Sequence, residues 1–106
     1  VTHDPVDVVF EALADPTRRA LFSSLVHDGP ATATALADGR PISRQAVVKH
    51  LQVLVTAGLV VAERAGREVR HRADPAPMAD VIAWMVGAGA EWDRRVERLR
   101  RLSRPG

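Results

Sequence analysis

Residues 42–60 read ISRQAVVKHLQVLVTAGLV, and the way this stretch divides into two faces decides the fold. Ser43 is a helix cap and Gly58 a stop. Helical spacing between them gathers Val47, Leu51, Leu54 and Gly58 into one narrow stripe, with His50 at its edge. That stripe is a core face. Opposite it stand Gln45, Lys49, Gln52 and Thr56, with Arg44 and Val48 on one shoulder. No acid occurs between Ile42 and Ala62, so the second face carries amides, cations and one apolar side chain. Such a face suits the major groove of double-stranded DNA. Gln can pair with adenine, Arg or Lys with guanine, and an apolar side chain such as Val48 can touch a thymine methyl. Ser43, at the helix N-terminus, can bond a phosphate. An isolated polar face is ordinarily a solvated one, so the reading turns on what flanks it.

Upstream, Asp4-Pro5 and Asp15-Pro16 each join a capping carboxylate to a first-turn proline, which predicts two helices. The first has Val6, Val9, Phe10 and Leu13 on its apolar face. The second has Ala20, Leu21 and Leu25, with Val26 beside them, and stops at Asp28-Gly29-Pro30. Thr32 or Thr34 caps a short third helix over Ala33 to Ala37, and Asp38-Gly39-Arg40-Pro41 breaks the chain before a recognition helix at about 43–57. Downstream the period changes. Leu59 to Ala62, a turn at Gly66, and Val69 to Ala73 predict a two-stranded wing at about 60–73. Asp74-Pro75 closes it.

A long helix at about 76–102 follows, with apolar residues at three- and four-residue steps. Glu91–Arg95 and Glu97–Arg101 are spaced for i,i+4 pairing, and Gly87 and Gly89 weaken its middle. Helix, helix, helix-turn-helix, hairpin and long helix make a single winged helix-turn-helix domain over 1–106, mainly α with a small β-hairpin.

Charge is distributed to match. The net value of +2 conceals three blocks. Residues 1–39 carry two Arg against six acids, and residues 73–106 carry six Arg against five. Between them, residues 40–72 hold Arg40, Arg44, Lys49, Arg64, Arg67, Arg70 and Arg72 against Glu63 and Glu68 alone. A basic block inside a nearly neutral chain is the footprint of a polyanion-binding surface. At the wing tip, Arg64 and Arg67 beside Gly66 suit the minor groove or its phosphates. Arg70 and Arg72 share a strand face and are better placed to pair with Glu63 and Glu68, while Val69 and His71 point the other way.

Several classes of chemistry are excluded or disfavoured. There is no Cys, hence no disulfide, thiolate metal site or thiol nucleophile. His3, His27, His50 and His71 are scattered, so no metal and no cofactor is expected. There is no Gly-rich phosphate loop and no nucleophile with a base and an orienting group, which argues against an enzyme. No apolar run approaches a membrane span and the first residues lack a secretory pattern, so a cytoplasmic protein is the default. The C-terminal Arg94, Arg95, Arg98, Arg100, Arg101 and Arg104 read as a solvated helix face.

FEALADPTRRALFSSL at 10–25, ISRQAVVKHLQVLVTAGLV at 42–60 and ERAGREVRHRADPAPM at 63–78 together resemble the ArsR/SmtB-type bacterial repressors. The likeness covers about residues 6–85, and EWDRRVERLRRL at 91–102 is similar to a metal-independent branch. The resemblance implies a homodimer built from the first and last helices, which binds a palindromic operator and usually represses transcription. On that basis Val6, Val9, Phe10, Leu13, Met78, Val81, Ile82, Met85, Trp92, Val96 and Leu99 are the expected dimer interface. The expected DNA contacts are Ser43, Arg44, Gln45, Val48, Lys49, Gln52, Arg64 and Arg67.

The sequence departs from the family pattern in its metal ligands, with no Cys in the third helix and no His in the last. It also has Val48 where relatives often have Ser. Two alternatives stand beside the repressor: a ligand- or metal-responsive sensor of the same fold, with effector unknown, and a winged-helix protein-interaction module without DNA binding.

Overall fold

A computed structural model describes residues 4–103, in the order α1 (Pro5–Leu13), α2 (Pro16–Asp28), β1 (Ala31–Thr32), α3 (Ala33–Ala37), α4 (Arg44–Thr56), β2 (Val60–Ala65), β3 (Glu68–Ala73) and α5 (Met78–Ser103). It is a winged helix-turn-helix, mainly α with a small antiparallel sheet. Each of the first four helices starts at a capping side chain. Asp4 Oδ1 accepts from the Val6 N–H at 2.8 Å and Asp15 Oδ1 from the Arg18 N–H at 3.0 Å. Thr32 and Ser43 accept from Ala35 and Ala46, each at 3.1 Å, so Thr32 rather than Thr34 is the α3 cap. These bonds satisfy N–H groups that have no partner within the helix.

The Asp15–Arg19 segment makes a corner. While Asp15 caps α2, Arg18 Nε donates to the Ala12 carbonyl at 2.6 Å and Arg18 Nη2 to Glu11 at 3.2 Å. Arg19 Nη1 donates to the Leu13 and Ala14 carbonyls at 2.6 and 3.1 Å. Two cations therefore cover the carbonyl end of α1, where the helix dipole favours positive charge. The Arg18 N–H bond holds the Asp15 carboxyl below the usual carboxylate range.

At the other end of the reading unit, Gly58 adopts φ +80°. Its N–H bonds to the Val55 carbonyl at 3.0 Å, and the Leu59 N–H to Leu54 at 3.0 Å. This is the Schellman closure of a helix, which requires a left-handed residue and sets the next side chain against the last turn. Gly58 therefore lies outside the core stripe assigned to it, and Leu59, fully buried beside Leu54, takes that place.

The core collects Val9, Ala12, Leu21, Phe22, Leu25, Leu36, Val47, Leu51, Leu54, Leu59 and Val60. In α2 the inward face is Leu21, Phe22 and Leu25, whereas Ala20 is exposed and Val26 retains 48% of its surface. The wing turns at Gly66, with φ +65°, at the first of two loop positions, the place where tight antiparallel hairpins favour glycine. The sheet has three strands rather than two: β1 pairs with β3, Ala31 opposite His71 and Thr32 opposite Arg70. A two-residue strand is too short to show an alternation in sequence.

The last helix is barely covered. Among its residues only Val81 is buried, while Ile82, Trp84, Met85, Val86, Trp92, Leu99 and Leu102 each leave more than half their surface free. Its 26 residues span about 39 Å and draw the molecule out to 73 × 32 × 24 Å. Phe10 of α1 meets Trp84 edge to face, with ring centroids 5.8 Å apart. Val9, at 1% exposure, and Val81, at 7%, are consumed by the protomer's own core and have little surface to offer a second chain. Val6, Leu13 and Met78 also pack partly against that core. Glu91 pairs with Arg94 at 2.6 Å rather than with Arg95, one turn position being closer, and Glu97 approaches Arg101 at 3.8 Å.

Candidate nucleic-acid interface

A groove of about 970 Å³ runs between α3, α4 and the wing. Arg44, Val48 and Gln52, spaced four residues apart on α4, line one wall, and Ala62, Arg67, Val69 and His71 line the wing side. Strand pairing explains the wing's two faces. Ala62 lies opposite His71 and Arg64 opposite Val69, so these four share one face. Val61, Glu63, Arg70 and Arg72 share the other.

The basic block divides along that boundary. Arg40 is turned inward, its guanidinium on the Leu36 carbonyl and the Ser24 hydroxyl. Arg72 bonds Glu63 at 3.1 Å and Arg70 approaches Glu68 at 3.8 Å. Among the described residues of the block, Arg44, Lys49, Arg64 and Arg67 form no ion pair within the protomer. All four are exposed on or beside the groove. Charge alone marked seven cations here; three are occupied by the fold or by neighbouring carboxylates.

Of the eight residues expected to meet DNA, Arg44, Val48, Gln52 and Arg67 share the groove. Gln45 and Lys49 are exposed on the adjoining flank of α4, and Arg64 stands on the groove face of the wing. Ser43 is exposed at the N-terminus of α4; its oxygen accepts the Ala46 N–H and its O–H remains to donate. Thr34, Val69 and His71 are among the lining residues not singled out as DNA contacts from sequence. Thr34 holds Arg44 Nε at 3.2 Å, Val69 keeps 43% of its surface, and His71 is half-buried. The alternation of Val69 and His71 on β3 was legible, but which wall it faced depends on tertiary packing.

His71 Nδ1 is enclosed without a hydrogen-bond partner among the described residues. Burial lowers its imidazole pKa below the ordinary histidine value, and the nearby Ala31 backbone opposes that shift. His50 is half-buried near the Asp15 cap. His3 and Arg104 lie outside the described residues. Among the described residues no three His, Cys, Asp or Glu side chains converge on a point that could hold a metal ion. No helix among them is long and apolar enough to cross a membrane.

Comparison with known proteins bears on this geometry. A family model described as a helix-turn-helix domain matches residues 13–63, which run from the corner into the wing. The HTH-type transcriptional regulator Rv2034 of Mycobacterium tuberculosis is 44% identical over 78 residues, covering 74% of this chain and 72% of that one. The transcriptional repressor SdpR of Bacillus subtilis is 32% identical over 78 residues, 74% of this chain and 86% of its own. Among solved structures, an ArsR-like transcriptional regulator from Rhodococcus sp. RHA1 superposes with a TM-score of 0.81 at 36% identity, covering 96% of this chain and 95% of that one.

Proposed function

The chain belongs to the ArsR/SmtB family of winged helix-turn-helix regulators, and from that premise we propose a homodimeric repressor, blind to metal, acting on an inverted-repeat operator. The family consists of DNA-binding transcriptional regulators and not enzymes. The observation that carries the dimer is the uncovered stripe on α5. Exposed Met85, Trp92 and Leu99 recur at seven-residue intervals, a period that begins at the half-buried Met78, with Ile82 and Val96 beside them. That spacing is the seam of two helices wound together, and an apolar strip of this length is unsuited to water. Phe10 extends the stripe onto α1. A two-fold axis through it presents two α4 helices to successive major grooves about 34 Å apart, which demands an inverted repeat. Ser43, Arg44, Gln45, Val48, Lys49 and Gln52 meet the groove, and Arg64 and Arg67 reach the flanking backbone.

Metal independence is supported by chemistry: the α3 segment ATALA has no thiolate, and α5 has acids but no imidazole. A second reading, a sensor of a small apolar effector, is favoured by a cleft of about 320 Å³ between α1, α2 and the start of α5, lined by Leu13, Phe22, Val26 and Met78 among others. The first reading meets one experiment, and release of the operator by a small apolar compound that fits this cleft would favour the second. Light scattering should give about twice the 11.5 kDa chain mass, and footprinting of a selected operator should be two-fold symmetric. Trp92→Glu should lose both. Zinc should leave the complex intact, and its dissociation by zinc would overturn the metal-blind reading. A monomer that still protects a single half-site would overturn the dimer.

A further inference from the structure

We infer that Val48 makes the groove a reader of a pyrimidine 5-methyl group, each operator half-site presenting a thymine methyl to the middle of α4. This rests on DNA reading by α4 and names what the helix recognises there. Val48 keeps 41% of its surface, whereas Val47, Leu51 and Leu54 on the same helix keep 1% or less. It lies between Arg44 and Gln52, and the three form one ridge about 12 Å long. Arg44 and Gln52 offer hydrogen bonds at the ends; Val48 offers only van der Waals contact between them. Across the groove stand Ala62 and Val69, equally without polar side-chain atoms.

Asp38, the C-cap of α3, lines the groove and disfavours a phosphate deep between the walls. A neutral base edge is the fitting occupant. In the major groove the thymine methyl is the one apolar feature of a base pair. A purine there would set its N7 acceptor against Val48 with no donor to replace water, and unmodified cytosine would leave the contact unmade.

The test uses the intact protein on an operator selected from random duplexes, with each thymine in turn replaced by deoxyuridine, which removes only the methyl. One position per half-site should weaken wild-type binding about fourfold, the worth of one buried carbon, and about fifteenfold when both half-sites change. Val48→Ala should lose most of that discrimination and Val48→Ser all of it; both remain folded, as thermal unfolding would verify, because the side chain is outside the core. A cytosine at the same position should bind more tightly when 5-methylated. If uracil weakens wild type and both variants alike, or weakens none, while the operator is still preferred over random DNA, methyl reading is overturned and DNA reading stands. If no duplex is preferred over random DNA, both fall.

Discussion

Removing one cation from the wing tip should alter how binding responds to salt, and removing another a few residues away should not. Arg67 is exposed on the groove side with no ion pair among the described residues, whereas Arg72 is bonded to Glu63 at 3.1 Å on the opposite face. If each Arg67 of a dimer neutralises one phosphate, Arg67→Ala removes two contacts. The slope of log K against log salt should flatten by about 1.8. Between about 50 and 200 mM salt that change amounts to a factor of about ten, so the variant's deficit is largest at low salt and closes as salt rises. Arg72→Ala should keep a slope within about half a unit of wild type. Fluorescence anisotropy on a labelled operator at four salt concentrations measures both. Parallel lines for Arg67→Ala and wild type, or a flattened line for Arg72→Ala, would refute the division of the basic block into free and occupied cations.

Two further outcomes follow from the fold. Gly58→Ala forces a side chain into φ +80° and should cost about 1–2 kcal/mol, lowering the melting temperature by about 4–8 °C for each kcal/mol at fixed protein concentration. A shift near zero would mean that the closure after α4 is not a constraint. His71 has a folded pKa below its unfolded value, so the unfolded chain binds more protons as acidity rises. Its contribution is fully present at neutral pH and is lost as pH falls through the ordinary histidine range, about 6.5, toward the lowered folded value. His71→Leu should flatten that part of the urea-midpoint profile, and an unchanged profile would sink the assignment.

The helices were legible because their ends are local: Asp4, Asp15, Ser43 and Gly58 declare caps and stops within a few residues. The hairpin was legible from β-branched residues around Gly66. β1 was not, since Ala31-Thr32 becomes a strand only by meeting β3 from afar. The same limit governs the site. Sequence spacing put Gln45, Lys49 and Val48 on the outer face of α4, yet it treated Arg40 as part of a basic surface when its role is to bind Ser24 and Leu36. Charge is a property of composition; availability is a property of neighbours. Val9 and Val81 show the converse, being correctly apolar but spent inside one protomer.

The corner at Asp15–Arg19 has a mechanical consequence. Four side-chain bonds from Arg18 and Arg19 fix the direction of α1 relative to α2, and α1 packs against α5 through Phe10 and Trp84. α5, about 39 Å long, therefore takes its direction from a helix that this corner sets. A tilt of about 5° there swings its tip by about 3 Å over that length. In the proposed dimer, the spacing of the two reading helices would depend on residues outside both the reading helix and the wing.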